Sequence, residues 1–526
     1  MFNFKKKQKK EKLKKEQVND KQQMDGEESP SNEANQNEKS KTITEPPQNG
    51  LSKTKLINII KERTNSPADL KIKFIKETIT LFHIDFIIET KTLHDQIISK
   101  LQSDIDITPQ IIKDILPISE LDIKTNIDDC INDLLIGAVL IHIDGYSEIV
   151  VAKITAYQTR SLAAPENESQ VIGAQVGFNE SLATNISLVR GYITNRNLCN
   201  EKFTVGKETK TTLSVLYIKG IAPDEQVQTV RQRITDLEIA DLIDSAVLAE
   251  LIDDSSKSIF PQLLLTERPD RFCDGLLGGK VGIIINGSSM AIISPFSFIE
   301  FFQSREDKNL RWPIATFIRL LRFFAIMVSI FLTPMYVAFL TFHYEVIPQP
   351  LLVPLSESRA IVPFPPILEA FLLEIIIELL REAGARLPTK VGQTIGIVGG
   401  IVIGTAAVEA GITSNILIII IALSALASFT TPNYMMGNVI RILRFPIIFV
   451  AGIWGFYGIM ITICFLLIHL LRLTSLGAPY LWPFYPPRLN ELADSIIRLP
   501  FSIVRRQKEQ SSGSNGSKKD VSDNEK

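Results

Sequence analysis

The sequence predicts a cytoplasmic α/β region of two related lobes followed by an all-α polytopic transmembrane bundle. Segregation of charge, an internal repeat and a series of long apolar runs carry this expectation. The 526 residues average 22% charged and 45% hydrophobic with a formal net charge of −2, values typical of a soluble protein. Those averages conceal two unlike parts. Residues 1–312 hold most of the Lys, Asp and Glu, whereas between Pro313 and Pro500 the only lysine is Lys390 and long stretches lack charge altogether. Such asymmetry points to membrane or nucleic acid. The apolar part decides for membrane lipid and against nucleic acid.

Residues 1–50 open with MFNFKKKQKKEKLKKE and continue rich in Gln, Asn, Glu and Ser. This composition buries too little apolar surface to offset chain entropy, so a disordered Lys-rich tail is expected. No apolar core follows the basic run, so no cleavable signal is read there. Its lysines would solubilise the chain, or adsorb to anionic lipid at ~1 kcal/mol each.

The α/β lobes are expected over 51–155 and 156–297. Strand patterns occur at Leu70–Ile75, Leu134–Ile143, Ile149–Ile154, Thr212–Ile218, Gly282–Ile285 and Met290–Ile293, and amphipathic helices at Asp224–Leu237 and Ile239–Ile252. The segments LLIGAVLIHIDGYSEIVV (134–151) and LLGGKVGIIINGSSMAII (276–293) align without gaps at an offset of 142. Leu134/Leu276, Gly137/Gly279, Ile141/Ile283 and Gly145/Gly287 are among the identities. Asp144-Gly145 and Asn286-Gly287 at the centres suit tight hairpin turns. Each lobe is therefore expected to carry one such hairpin.

A spanning helix needs about 20 apolar residues. The membrane part is expected over 298–488 with four to six spans, at 323–343, 364–380, 391–411, 415–431 and 445–471. Residues 489–526 read as an amphipathic segment and a disordered tail. The segment FPPILEAFLLEIIIELLREAGARLP (364–388) mixes apolar residues with Glu369, Glu374, Glu378, Arg381 and Glu382. An acidic side chain at the bilayer centre costs about 2.5–3.5 kcal/mol on insertion scales. Glu374, Glu378 and Glu382 share a helix face, which must look into protein, water or headgroups. Glu369, Glu374, Glu378 and Arg381 are the candidate polar network. Positive-inside reasoning favours a spanning Glu helix, with Arg381, Arg386, Lys390, Arg441 and Arg444 at the cytoplasmic face. Five crossings then leave Arg505, Arg506 and Lys508 on the wrong side, unless the chain re-enters near Pro479–Pro487.

Val391–Val408 repeats glycine every four residues, at Gly392, Gly396, Gly400 and Gly404. Small residues so spaced let helices approach closely in lipid. The opposite face collects Thr394, Val398, Val402, Thr405 and Glu409. Hydroxyls and a carboxylate around two valines suit a pore that gates by dewetting. They also suit a helix buried in the bundle with each Thr bonded to its own backbone.

Chemistry of other kinds is not suggested. There is no Walker loop, HExxH, GxSxG or paired CxxC. The histidines (His83, His94, His142, His343, His469) are scattered, and Cys130, Cys199, Cys273 and Cys464 lack ligand spacing and read as buried free thiols. A non-enzymatic protein without metal or cofactor is expected.

From Thr266 to Pro487 the chain resembles the A subunit of GerA-type spore germinant receptors. The matching stretches are TERPDRF (266–272), SPFSFIEFFQSREDKNLRW (294–312), FHYEVIPQPLL (342–352), VPFPPILEAFLLEIIIELLREAGARLP (362–388), GIVGGIVIGTAAVEAGI (396–412) and GAPYLWPFYPP (477–487). Arg305 departs from the pattern, which has proline there. The stage V sporulation protein AF type is a similar paralogue. The resemblance implies a subunit of the spore inner membrane that assembles with a transporter-like B subunit and a lipoprotein C subunit. It also implies a homo-oligomeric ring conducting ions to begin germination, lined or packed by Val391–Ile412. Two other classes compete: a secondary transporter relaying protons through Glu369, Glu374, Glu378 and Glu409, and a scaffold whose membrane part only anchors the lobes. No repeat in the membrane half favours the transporter.

Overall fold

The computed structural model describes residues 52–102, 108–156, 164–166, 168–386, 400 and 404–500. The Lys-rich segment 1–50, residues 501–526, and Gly392, Thr394, Gly396, Val398 and Val402 lie outside the described residues.

Two five-stranded sheets share one topology. The first contains β1 (Leu70–Ile75), β2 (Ile79–Ile84), β3 (Leu121–Lys124), β4 (Ala138–Ile143) and β5 (Ile149–Lys153) in the order β1-β2-β4-β5-β3. The second contains β6 (Leu198–Val205), β7 (Thr211–Ile218), β8 (Leu264–Thr266), β9 (Val281–Ile285) and β10 (Ala291–Ser294) in the equivalent order β6-β7-β9-β10-β8. All ladder pairings are antiparallel. The sequence repeat is kept in the register: Ile141 faces Val150, and 142 residues later Ile283 faces Ile292. The central hairpin glycines, Gly145 and Gly287, adopt φ of 92° and 93°. A buried Asp69–Arg190 pair, with one arm at 2.8 Å, ties the first sheet to the Leu182–Tyr192 helix.

Local details differ from the sequence expectation. Leu134–Ile136 is not strand but the last turn of the Ile127–Ile136 helix. Gly137 ends that helix in the left-handed region (φ 104°), where a Cβ would also lie 2.8 Å from the Ile87 carbonyl oxygen. The helix expected over Ile239–Ile252 begins only at Ser245, where Asp244 caps it by accepting from the Ser245 N–H at 2.7 Å. Ile239 and Ala240 instead offer carbonyls to Lys207 and Glu208. The sequence pattern does not mark β2, β3, β6 or β8 as strands. β2 (ITLFHI) is buried throughout, so it shows no alternation.

The C-terminal region contains the helices Trp312–Thr341, Gln349–Arg359, Pro366–Arg386, Asn415–Ser428, Tyr434–Arg472 and Leu489–Ile496, with a helical stretch over 404–409. Trp312–Thr341 and Tyr434–Arg472 are long and apolar enough to cross a membrane, and Asn415–Ser428 is a shorter apolar helix. The Trp312 helix starts eleven residues before the apolar run expected at Phe323. Its first turns form a polar base, where buried Arg319 and Arg322 hold Asp307 at 3.1 and 3.0 Å.

Tyr434–Arg472 does not run straight. A straight 39-residue helix would be ~58 Å long at 1.5 Å per residue. Yet Phe260 lines one cavity with Met435 and Asn438, near the start, and stacks at 5.9 Å on His469, near the end. The reversal falls at Gly455 (φ 60°, ψ −140°), beside Phe342 and His343. The element is therefore a helical hairpin, and the single span expected at 445–471 is corrected to two antiparallel arms. The first arm runs with the Trp312 helix, since Arg444 reaches Ser329 and Gly455 reaches Phe342. The Glu helix runs against the first arm, since Glu374 reaches Arg444 and Glu378 reaches Arg441, and the Asn415 helix runs against the Trp312 helix, since Ser424 reaches Ser329 and Ser414 meets Tyr336.

The second arm brings the chain back to the second lobe. There Ser475 donates to the Gln262 carbonyl at 2.6 Å, Tyr480 to that of Pro261 at 2.7 Å, and Arg498 to Leu310 and Lys308 at 2.9 and 2.8 Å. Ser475 and Tyr480 thus sit against the second lobe, and Arg498 against the segment just before the Trp312 helix. Cys130, Cys199 and Cys273 are buried thiols, whereas Cys464, expected buried, is exposed on the second arm.

Candidate functional site

The four acidic and basic candidates of the Glu helix form a graded polar seam. Glu369 and Glu374 are buried to 1% and 3% exposure, while Glu378 is partly exposed and Glu382 open. The face left open by the sequence therefore looks into protein at one end and outward at the other.

At the centre, the Glu374 carboxylate accepts from Arg444 at 2.6 Å and from the Thr333 hydroxyl at 3.0 Å. Arg444 also donates to the Ser329 hydroxyl at 2.9 Å. Ser424 donates to the Ser329 carbonyl at 3.0 Å. One ion pair thus joins four elements: the Trp312 helix, the Glu helix, the Asn415 helix and the first hairpin arm. Charges so buried persist only when paired and hydrogen-bonded. Arg444, read from sequence as a loop charge at the cytoplasmic face, is corrected to a buried partner. Ser329, Thr333 and Ser424 carry no mark in the sequence, and Arg444 is not recognisable there as a partner of Glu374. Four-residue spacing marks a face within one helix, but nothing in the sequence links position 374 to 444.

A second node sits at Glu369. Its carboxylate accepts from the Thr413 hydroxyl at 3.0 Å and the Ser414 backbone N–H at 2.6 Å, and Arg359 approaches at 3.5 Å. Ser414 also caps the Asn415 helix and meets the Tyr336 hydroxyl at 3.1 Å. Glu378 and Arg381 pair within their own helix, and Arg441 stands 3.7 Å from Glu378.

Of the glycine and pore-face candidates, Gly400, Gly404, Thr405 and Glu409 are described. Thr405 and Glu409 are exposed on one side of the 404–409 stretch, and Ala407 is buried on another. A Cβ added at Gly400 or Gly404 would meet nothing within 4 Å. The stretch ends at Gly411 (φ 67°), two residues before the Thr413 that bonds Glu369. The polar seam therefore anchors the end of the helix carrying these residues. Among the described residues no cluster of three or more His, Cys, Asp or Glu could hold a metal ion.

These features define a class: a two-lobed α/β protein whose helical, membrane-compatible part is fastened by buried ion pairs. The chain belongs to the Bacillus/Clostridium GerA spore germination protein family, whose model matches residues 58–510. It is 42% identical over 462 residues to the spore germination protein GerQA of Bacillus cereus, covering 88% of this chain and 93% of that one. It is 37% identical over 452 residues to spore germination protein KA of Bacillus subtilis (strain 168), covering 84% and 83%. A crystal structure of the N-terminal domain of the A subunit of the Bacillus megaterium spore germinant receptor GerK3 matches 48% of this chain and 99% of that domain. The identity is 24% and the TM-score 0.38.

Proposed function

We propose that this chain is the A subunit of a spore germinant receptor that oligomerises in the spore inner membrane as a nutrient-gated ion channel. Its partners are then the transporter-like B subunit and the lipoprotein C subunit of the same receptor. Residues 51–155 and 156–297 are its cytoplasmic lobes and 298–488 its membrane part, without catalytic activity. Beyond family membership, the observation that supports this reading is the 400–409 segment. Its glycines face open space within the chain, which suits close packing against another copy. Thr405 and Glu409 face outward, where Thr394, Val398 and Val402 would continue the same stripe as a pore lining.

The transporter alternative needs carboxylates free to load and unload protons. Glu374 is instead held by Arg444, which favours the channel. Reconstitution of the receptor in liposomes separates the classes, since a channel gives gated passive leak and a transporter saturable uptake coupled to a gradient. Widening the constriction with Val398→Ala or Val402→Ala is expected to raise nutrient-independent leak about tenfold, equivalent to about 1.4 kcal/mol of barrier. Unchanged tightness in both variants would favour the anchoring scaffold.

A further inference from the structure

A cavity of about 470 Å³ opens where the Ser245–Ile252 helix of the second lobe meets the first hairpin arm. Val247, Phe260 and Ile442 provide apolar wall, and Glu250, Asp253 and Asn438 provide polar groups. Two consecutive carboxylates leave that helix and are used differently. Asp254 pairs with Arg233 at 2.6 Å and accepts from the Thr474 hydroxyl and, at 2.9 Å, from the Gly477 N–H. Asp253 has a buried oxygen, Oδ1, without a hydrogen-bond partner. Its other oxygen is not so buried, and Asp253 lines the cavity wall without a hydrogen bond or ion pair among the described residues, so the carboxylate is open to a donor from the cavity side. Among the described residues no Lys or Arg lines the cavity.

We propose that this cavity binds a small organic monocation, a primary or secondary ammonium with an apolar body, anchored by Asp253. The volume lies in the range of small-molecule sites, which pair apolar walls with few polar groups. An ammonium supplies a donor and a positive charge from the cavity side, where Arg233, engaged by Asp254, does not reach. A zwitterion fits poorly, because its carboxylate would find no cation on the walls. A hard divalent ion requires several oxygen ligands, and no such cluster is present among the described residues. The site makes no use of the pore reading, so either can fail alone.

Burial, reinforced by neighbouring Asp254, lifts the Asp253 carboxyl to about 7. The titratable and charged groups around it are Glu250 and Asp254 on its own segment, and Arg233 from the Asp224–Thr235 helix. Tyr480 faces it from the C-terminal segment, and His469 lies beyond Ser258. An ammonium favours the ionised carboxylate, so affinity should rise about tenfold from pH 6 to pH 8 and then level off. The ligand-free protein gives an independent reading of the same group. An acid whose folded-state pKa is raised destabilises the fold as it ionises, from about pH 4 up to about 7. Asp253→Asn should therefore raise the melting temperature at pH 8, with the gain vanishing towards pH 4.

The test is calorimetric titration of the full-length protein in detergent with benzylamine, and with benzyl alcohol as its neutral counterpart. Benzylamine is expected to bind saturably and at least about tenfold more tightly than benzyl alcohol, since its ammonium pairs with the carboxylate while the alcohol offers only a neutral donor. Asp253→Asn should erase that preference, and Val247→Trp, which fills the mouth, should weaken both ligands. Equal binding of the two probes, no binding of either, a preference surviving in Asp253→Asn, or affinity independent of pH would overturn the proposal. Should Asp253→Asn not be recovered folded, unchanged benzylamine affinity in Val247→Trp overturns it instead.

Discussion

Glu374 and Arg444 illustrate how a buried pair fastens helices without contributing much net stability of its own. The desolvation of two charges offsets most of their attraction, but removing one partner strands the other. Glu374→Ala or Arg444→Ala is therefore expected to cost about 3–5 kcal/mol. Replacing both with apolar residues of similar size, Glu374→Leu with Arg444→Met, should cost less than either single change. Thermal unfolding of the four proteins in detergent measures this, and additive losses would show that the pair is not coupled. At this scale the sequence exposed half of the node. Acidic residues inside an apolar run signal themselves by their cost in lipid, so Glu369 and Glu374 could be picked out. Their partners could not, because an arginine between apolar runs has the composition of a loop and only packing places it opposite a carboxylate.

Among elements, the hairpin at Gly455 depends on a single backbone conformation. Its φ of 60° with ψ of −140° is poorly open to side-chain-bearing residues, and a Cβ there would stand 3.0 Å from His343 Nε2 and from Phe342. A non-glycine in such a region costs ~1–3 kcal/mol, and the close approach adds to it. Nearby Gly458 lets the second arm pass the first, since a Cβ there would lie 2.6 Å from the Val450 carbonyl oxygen. Gly455→Val is expected to open the hairpin and withdraw its far end from the lobe. A cross-link made by a short bifunctional maleimide between Ser258→Cys and His469→Cys, whose native side chains meet at 3.1 Å, reports this. It should form while Gly455 is kept and fail once Gly455→Val is added, and equal yields would refute the hairpin. The two turn types were unequally legible. Asp144-Gly145 and Asn286-Gly287 interrupt short apolar strand runs with a polar residue and a glycine, so the pair reads as a turn. Gly455 lies in an unbroken apolar run, where hydropathy has no dip and one long helix is the natural reading.

For the whole molecule, the hairpin decides which end of the helical region the segment 475–498 joins. An odd number of crossings would separate the C-terminal segment from the lobes. With Gly455 reversing the chain, Ser475, Tyr480 and Arg498 return to the second lobe and to the foot of the Trp312 helix. Arg319, Arg322, Arg472 and Arg498 then gather at one end of the bundle, the end that positive-inside reasoning assigns to the cytoplasm. Tyr457, 73% exposed just past the turn, lies at the opposite end with His343. In a Cys464→Ser background, the remaining thiols Cys130, Cys199 and Cys273 are buried, so single introduced cysteines give clean readouts. With an impermeant maleimide on sealed right-side-out vesicles, Tyr457→Cys is expected to label at once. Pro487→Cys, exposed beside the lobes, should label only after permeabilisation. Labelling of both from one side would mean that the two ends of the helical region do not face opposite compartments. The bundle would then lie against the membrane rather than through it, and no conducting path along the Thr405–Glu409 face could cross the bilayer.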